Sequence, residues 1–175
     1  MTNLVSNTGS VSNDVTGVGT ARYGLAAAGY GTDKAIFGYG YTGAYVSMTN
    51  LVSNTGVVST DVTGVGTGRY APAAAGYGTD KAIFGYGDNG GVRSSITNLV
   101  SNTGVVSTDV TGVGTARRYL AAAGYGTDKA IFGYGSNGTN ASITNLVSNT
   151  GVVSTDVTGV GTARQLPAAA GFSLT

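Results

Sequence analysis

Several residue types that carry common enzyme chemistry are missing from this 175-residue chain. It contains no cysteine, no histidine and no tryptophan, and all eight of its acidic residues are aspartates. Without cysteine, disulfides, thiolate metal ligands and cysteine nucleophiles are excluded. Without histidine, the side chain that most often acts as general base or metal ligand is excluded as well. We therefore expect a protein that is not an enzyme and needs no cofactor or metal.

Strong charge and long hydrophobic runs are missing too. Nine lysine and arginine residues stand against eight aspartates, without the basic stripe that nucleic-acid binding requires. No hydrophobic run approaches the ~20 residues of a membrane-spanning helix. The N-terminal sequence MTNLVSNTGS has neither the charged nor the apolar region of a signal peptide. We expect no nucleic-acid or membrane partner, and a cytoplasmic or virion-associated protein.

Proline is scarce, whereas glycine is abundant. The chain has 2 prolines and 31 glycines, and 41% of its residues are hydrophobic. This composition is too hydrophobic for a disordered chain and fits many short strands separated by glycine turns. No segment as long as a typical helix keeps a helical period without glycine. The sequence therefore predicts an all-β fold.

The dominant feature of the sequence is an internal repeat. The segment TNLVSNTG begins at Thr2, Thr49, Thr97 and Thr144, with spacings of 47, 48 and 47 residues. The segment GYGTDKAIFGYG occurs unchanged three times in the same frame. Repetition this regular indicates one structural unit used several times. We predict a single domain made of a half-repeat 1–21, three repeats 22–68, 69–116 and 117–163, and a terminal segment 164–175.

Turn sequences rich in glycine and asparagine divide each repeat into four predicted strands. In the first repeat these are roughly Leu25–Gly29, Lys34–Gly40, Thr49–Ser53 and Val57–Thr63. Four antiparallel strands in about 47 residues match the size of a β-propeller blade. The segment from Thr2 to about Thr16 matches a third and a fourth strand, and Ala168–Phe172 matches a first strand, which makes fifteen strands.

The repeat resembles the blades of kelch propellers over nearly the whole chain. In kelch-like blades an arginine precedes the small residues of the inner strand, as Arg22 precedes Ala26 to Ala28. A lysine–aliphatic–aromatic strand with glycines follows, and Lys34–Gly40 matches it. The glycine doublet is split by Tyr39, and the fourth-strand tryptophan is absent. The resemblance therefore implies a propeller fold but no particular activity.

Two further expectations come from resemblance. Copper-dependent oxidation of the galactose oxidase kind occurs on this fold, but its metal site cannot be built without histidine or cysteine. Repeats this uniform are also similar to those in structural proteins of marine phages. Recent duplication, a metagenomic source and human design would each produce such uniformity.

The ends of the chain suggest how a propeller would close. Terminal strands from the two ends commonly meet in one blade, which removes exposed sheet edges. Two closures are open, namely a four-bladed monomer with one incomplete blade and a homodimer that forms an eight-bladed ring. A third alternative is a fragment of a longer repeat protein. Small residues such as Ala26 to Ala28 on the inner strand favour few blades.

Nearly all differences between the repeats fall in two kinds of connection. The loops between second and third strands read YTGAYVSM, DNGGVRSSI and SNGTNASI, and the links before each first strand read YGL, YAP, RYL and QLP. In a meander these connections leave the same end of the strands, so we expect them to share one face. Loops on a rigid scaffold often carry function, although surface loops also vary where nothing constrains them.

Tyrosine and asparagine in these connections suit a binding face. Tyrosine rings stack on sugar rings, and amide and charged side chains bind hydroxyl groups. A glycan is the candidate ligand. The candidate ligand-binding residues are Tyr23, Tyr41, Tyr45, Tyr70, Asp88, Asn89, Arg93, Arg118, Tyr119, Asn137, Asn140 and Gln165.

The constant segments are predicted to have structural roles. GYGTDK lacks the ending and the following helix of a phosphate-binding loop, so we interpret it as a turn with an Asp33–Lys34 ion pair. One arginine and one aspartate per repeat indicate a repeating structural pair, either within one repeat or between neighbouring repeats. Core or rim packing is predicted for one aromatic residue per unit, namely Tyr30, Tyr77, Tyr125 and Phe172.

Two functions follow as hypotheses. The first is a structural, self-assembling scaffold without catalytic activity, such as a viral structural component or a designed repeat protein. The alternative is a lectin-like, carbohydrate-binding module that uses the variable face. The expected partners are accordingly a second copy of the chain and a glycan.

Overall fold

The computed structural model describes residues 1–171, which contain strands and turns but no helix. The predicted all-β fold is confirmed. The strands of the first repeat are β1 (Ala26–Tyr30), β2 (Lys34–Gly38) and β3 (Thr49–Val52). Those of the second are β4 (Ala73–Tyr77), β5 (Lys81–Gly85), β6 (Asp88–Asn89), β7 (Val92–Arg93) and β8 (Thr97–Val100). Those of the third are β9 (Ala121–Tyr125), β10 (Lys129–Gly133) and β11 (Thr144–Val147).

Each repeat forms an antiparallel sheet of three strands. The orders are β1-β2-β3, β4-β5-β8 and β9-β10-β11, with β6 and β7 as a separate hairpin. In the first sheet the central Ile36 pairs with Ala28 on one side and Leu51 on the other. Identical segments take the same register in all three repeats. Residues 1–171 include no helix with the length and hydrophobicity needed to span a bilayer.

Strand ends differ from the prediction for a backbone reason. The first strand ends at Tyr30, which pairs with Lys34 across the turn, and not at Gly29. The second strand ends at Gly38 because Tyr39 takes a left-handed conformation with φ 65°, which an extended strand cannot contain. Tyr86 and Tyr134 repeat this conformation in the other two repeats.

The predicted fourth strand is wrong. Residues 57–63 meet β3 only at two isolated pairs, Thr49 with Val62 and Val52 with Val58. Between them the Ser59 hydroxyl accepts a hydrogen bond from the Leu51 amide at 3.0 Å, and the Asn50 amide group donates to the Ser59 carbonyl at 3.1 Å. Side-chain bonds thus replace part of the ladder, and the repeat has three strands with an irregular outer segment.

The predicted strands at the chain ends are also wrong. Between residues 2 and 16 only the pairs Thr2–Val15 and Val5–Val11 form, because no second strand lies beside this segment. Residues 168–171 are not in a strand, and Phe172 lies outside the described residues. The described residues contain eleven strands where fifteen were predicted for the chain. Each of these sheets has an open strand order, and no sheet within residues 1–171 closes on itself.

Neighbouring repeats pack with their first strands side by side. A Cβ added at Gly76 would lie 3.4 Å from the Gly29 carbonyl oxygen, so small residues permit this approach. The Gly31 amide donates to the Asp80 carbonyl of the next repeat at 2.7 Å. Phe84, which is fully buried, packs against Tyr39 of the preceding repeat with ring centroids 5.1 Å apart. The repeats therefore share one continuous core at each junction.

A buried arginine network reinforces each junction. Arg69 Nη2 donates to Asn98 Oδ1 at 2.7 Å, and Arg69 Nη1 lies 3.7 Å from Asp109 Oδ1. The guanidinium also covers the Tyr39 ring of the preceding repeat at 4.3 Å, and the Thr67 hydroxyl reaches Asp109 at 2.7 Å. The predicted arginine–aspartate pairs are confirmed, each within one repeat, with threonine and tyrosine providing the contact between repeats. The equivalent groups are Arg22–Asn50–Asp61 and Arg117–Asn145–Asp156.

Burial and hydrogen bonding shift the pKa values in this network. Burial raises the pKa of Tyr39 to about 12 and lowers the pKa of Arg69, which the nearby Tyr39 and Asp109 partly offset. Hydrogen bonds from Thr20 and then from Asn50 lower the pKa of Asp61. The aspartates are thus ionised and the tyrosines neutral at pH 7, which keeps the arginines paired.

Candidate functional site

The structure brings the variable connections together at one end of the sheets. In each repeat the link before the first strand pairs with the loop after the second strand. Tyr23 pairs with Tyr41 in the first repeat, and Tyr70 pairs with Asp88 in the second. In the third, Arg118 pairs with Ser136. The sequences that differ most between repeats therefore form a common surface, which we call the variable face.

A chain of backbone hydrogen bonds joins the links to one another. The Ala71 amide donates to the Gly24 carbonyl at 2.8 Å, and the Tyr119 amide donates to the Ala71 carbonyl at 3.3 Å. The Leu166 amide then donates to the Tyr119 carbonyl at 2.8 Å. All four residues are left-handed, with φ between 52° and 62°. Because backbone atoms make these bonds, the links keep one geometry while their side chains differ.

Five tyrosines form a continuous row across this face. Their ring centroids follow one another at 5.1 Å from Tyr45 to Tyr41, 5.6 Å from Tyr41 to Tyr23, 5.6 Å from Tyr23 to Tyr70 and 5.7 Å from Tyr70 to Tyr119. All four contacts are edge-to-face, the geometry that aromatic quadrupoles favour. Tyr23, in the middle, is 60% exposed. The row crosses from the first repeat to the third and leaves ring surface open to solvent.

Gly24 makes this row continuous, although it was not among the predicted site residues. A Cβ at Gly24 would overlap the ring of Tyr70, so only glycine lets Tyr70 lie against the first link. Gly24 replaces the alanine, tyrosine and leucine found at the matching positions of the other links. A glycine that follows Tyr23, where the other links have larger residues, was the sequence feature that could have predicted this close contact.

An ion pair ends the row. Arg118 Nη1 lies 3.5 Å from Asp88 Oδ2, and the Arg118 guanidinium covers the Tyr119 ring at 4.8 Å from its centroid. Asp88 is nearly fully buried, and its Oδ1 accepts a hydrogen bond from the Gly91 amide at 3.0 Å. Asp88 Oδ2 has no hydrogen-bond donor among the described residues. Two predicted site residues, Arg118 and Asp88, thus form a charged pair at the end of the tyrosine row.

The remaining predicted residues lie in the variable segments but outside the row. Asn89 donates from its side chain to the Gly68 carbonyl at 2.8 Å and is exposed. Arg93 is half-buried on β7, and its Nε has no hydrogen-bond partner among the described residues. Asn137, Asn140 and Gln165 are exposed, and no hydrogen bond in residues 1–171 joins their side chains to a tyrosine.

The opposite end of the sheets carries a cavity of about 270 Å³ that residues of all three repeats line. Its walls are the constant GYGTDK turns, including Tyr30, Tyr77 and Lys34. Lys34 Nζ lies 2.7 Å from Asp33 Oδ1, as predicted, and that bond raises the pKa of the lysine. The same pair in the other repeats measures 2.8 and 2.9 Å. Charge is thus balanced at each turn, and residues 1–171 contain no acidic cluster that could hold a metal.

Comparison with known proteins gives no assignment for the chain. No protein-family model matches it, and no curated protein has a significantly similar sequence.

Proposed function

We propose that this chain is a lectin-like, carbohydrate-binding module without catalytic activity, which binds its ligand on the variable face. The observation that carries the proposal is the row of five tyrosines, whose rings follow one another at 5.1 to 5.7 Å across two repeats and into the third. Sugar rings present apolar C–H faces that stack on aromatic rings, while their hydroxyls need hydrogen-bonding groups at the edge. The row meets the first requirement. The partly exposed Arg118 guanidinium, which the buried Asp88 holds in place, offers donors for the second.

The length of the row favours an oligosaccharide over a single sugar. Four successive ring-to-ring contacts give an extended strip of rings that crosses three repeats. An extended chain of sugars can use several rings at once, so each weak stacking contact adds to the affinity. Tyrosine, asparagine and glycine together supply rigid contact area and adaptable hydrogen bonds.

The arrangement of the repeats behind this face is inferred to be that of a kelch-like propeller. Support comes from the cavity that turns of all three repeats line and from the side-by-side first strands. A linear stack would separate the first repeat from the third. A shared axis brings every variable link to one end of the molecule, as a single binding face requires.

The test is a glycan array probed with the whole chain, followed by calorimetric titration of the strongest oligosaccharide. We expect Tyr23→Ala and Tyr41→Ala to weaken binding by about tenfold or more each, because a buried aromatic contact contributes on the order of 1–2 kcal/mol. Tyr41→Phe keeps the ring and is expected to retain most of the affinity.

Thr127→Ala is the matched control, since Thr127 is an exposed residue of a constant turn at the opposite end. Equal losses in Thr127→Ala and Tyr41→Ala would place the ligand elsewhere. An array without signal, from a chain that is folded by circular dichroism, would reject the proposal.

A structural scaffold is the second candidate, and the junctions favour it. Each of the three described junctions joins a threonine of one unit to an aspartate of the next, at Thr20–Asp61, Thr67–Asp109 and Thr115–Asp156. This uniformity suits a component whose role is to extend or close an assembly, such as part of a virion. A chain that forms a defined oligomer and binds no glycan would support this candidate over the first.

A further inference from the structure

The two ends of the chain carry the two halves of one more junction. Three arginine–asparagine–aspartate groups are complete in residues 1–171, but a fourth arginine and a fourth asparagine–aspartate pair are left apart. Within residues 1–171 the Arg164 side chain donates only to the Thr162 carbonyl, at 3.2 Å. Arg164 is exposed, whereas Arg69 and Arg117 are fully buried.

The matching acceptors lie at the other end. Asn3 donates to Asp14 at 2.8 Å, as Asn98 donates to Asp109 at 2.9 Å, yet no arginine contacts this pair within residues 1–171. Asn3 and Asp14 are exposed, whereas Asn98 is fully buried. The half-repeat thus presents an arginine site without an arginine.

Arg164 is already held in the conformation that the other arginines use. Its guanidinium lies 3.7 Å from the centroid of the Tyr134 ring, as Arg69 lies over Tyr39 at 4.3 Å. Arg164 Nη1 also donates to the Thr162 carbonyl at 3.2 Å, as Arg69 Nη1 donates to the Thr67 carbonyl at 3.3 Å. Thr162, which precedes it, matches Thr67 and Thr115 and has no aspartate partner among residues 1–171.

A glycine contact at each junction is also left incomplete at the two ends of the chain. Gly151 of the third repeat lies under Tyr77 and Leu99 of the second, where an added Cβ would come within 2.9 Å of both. Gly104 lies in the same way under Tyr30 and Leu51. At the half-repeat, Gly9 has nothing within 4 Å.

At the third repeat the residues that would cover such a glycine are open. Leu146 is 39% exposed, whereas its counterparts Leu51 and Leu99 are packed against the core clusters. Gly126 likewise has nothing within 4 Å, although Gly31 and Gly78 each face an asparagine carbonyl of the next repeat. The open side of the third repeat and the open side of the half-repeat therefore each lack what the other carries, both in charged groups and in packing.

We propose that the open side of the third repeat binds the half-repeat of a second copy of this chain, with Arg164 paired to the partner subunit's Asn3 and Asp14. Two copies that make this contact reciprocally form a closed dimer. Within residues 1–171 the chain does not supply this partner itself, because residues 1–16 hydrogen-bond only with one another there. The contact goes beyond glycan binding and gives the scaffold candidate a defined interface.

The first experiment is a charge exchange followed by molar mass. Sedimentation equilibrium is expected to give twice 17.2 kDa for the whole chain. Arg164→Asp and Asp14→Arg each place like charges in the contact and are expected to raise the dissociation constant about tenfold or more. The double variant restores opposite charges and is expected to recover the dimer.

Arg93→Asp is the control, since it makes the same change of charge on the variable face and is expected to leave the dimer intact. A wild-type mass of 17.2 kDa at all concentrations would overturn the proposal. So would a double variant no better than the single ones, provided all variants keep their circular dichroism spectrum.

A cross-link separates a second copy from closure within one chain. The chain has no cysteine, so Asp14→Cys and Thr162→Cys introduce the only two thiols. Their counterparts Thr67 and Asp109 touch at 2.7 Å, within reach of a short thiol cross-linker. A product of doubled mass is expected, and a cyclised product of single mass would overturn the proposal. Glycan binding by the same variants tests the variable face independently of this result.

Discussion

The constant junctions and the variable face hold the same repeats together in different ways. At a junction, side chains make most of the specific contacts, as where Arg69 covers Tyr39 of the preceding repeat and Thr67 reaches Asp109 of the next. On the variable face, backbone atoms make them, as where the Ala71 amide reaches the Gly24 carbonyl. Side-chain contacts need particular residues at every copy, and backbone contacts do not. The position of the differences between repeats follows from this distinction.

Burial reinforces the contrast. Arg69, Asn98 and Phe84 are all fully buried, so a change of volume or polarity at any of them leaves a cavity or an unpaired group. Tyr23 is 60% exposed, and water can replace what its substitution removes. We therefore expect substitutions at the junctions to alter stability and substitutions on the face to alter binding.

The largest effect is expected from Arg69→Ala. It removes the hydrogen bond to Asn98 and the cover of Tyr39, and it leaves Asp109 without its cation. Because Arg69 and Asn98 are fully buried, the truncation leaves a cavity and an unpaired amide oxygen, which together cost about 3–5 kcal/mol. Urea denaturation, read by circular dichroism, measures the loss in the free energy of unfolding.

Arg22→Ala is the control for this experiment. Arg22 donates to Asn50 and lies 3.6 Å from Asp61, but it covers no tyrosine among residues 1–171. A smaller loss is expected here, and the difference reports the contact between repeats. Equal losses would mean that the junction gains nothing from the tyrosine.

The next largest loss of stability is expected from an alanine substitution at Gly85, with Gly133 as the matched position. A Cβ at Gly85 would lie 2.8 Å from Phe132 Cζ of the next repeat, whereas at Gly133 the nearest atom is Thr144 Cγ2 at 3.3 Å. We expect Gly85→Ala to cost about 1–3 kcal/mol, the usual range for overpacking a core. Gly133→Ala is expected to cost less. The thermal midpoints of the two variants compare them directly, and a reversed order would contradict the packing between repeats.

The smallest expected effect is the loss of stability at low pH. Hydrogen bonds from Thr20 and Asn50 lower the pKa of Asp61 in the folded chain below the value of about 3.9 in an unfolded one. Such a group stabilises the fold above its unfolded pKa, and the contribution disappears as the pH falls through the folded pKa. Stability is thus expected to stay level from pH 7 to about 5 and to fall below about pH 4.

Thr20→Val tests the source of this acid sensitivity. It removes the hydroxyl that bonds to Asp61 at 2.7 Å, the strongest influence on that pKa. Urea midpoints measured across this pH range should then fall less steeply in the variant. Stability that rises on acidification would contradict the role given to these carboxylates.

Much of the fold was predictable because identical glycine- and asparagine-rich turns mark the strand boundaries in every repeat. Identical turns predicted the hairpins, and the recurrence of arginine and aspartate in step predicted the pairs that the structure contains. The outer segment was not predictable from pattern alone. Val58 and Val62 give it the pattern of a strand, but side-chain bonds between Ser59 and Leu51 and between Asn50 and Ser59 interrupt the ladder.

The candidate site was predictable as a set of residues but not as an arrangement. Which tyrosines touch depends on how one link lies against the next, and this is decided by left-handed residues such as Ala71 and Tyr119 that no composition rule predicts. The hairpin formed by β6 and β7 was missed, although Gly90 and Gly91 beside Asn89 are a strong hairpin signal.

The left-handed links have a consequence for how such a chain can diversify. Glycine, alanine, tyrosine and leucine occupy the same backbone conformation at residues 24, 71, 119 and 166. A backbone conformation that accepts four such different residues does not depend on the side chain at that position. The exposed groups of one link can therefore change while every repeat keeps the same frame.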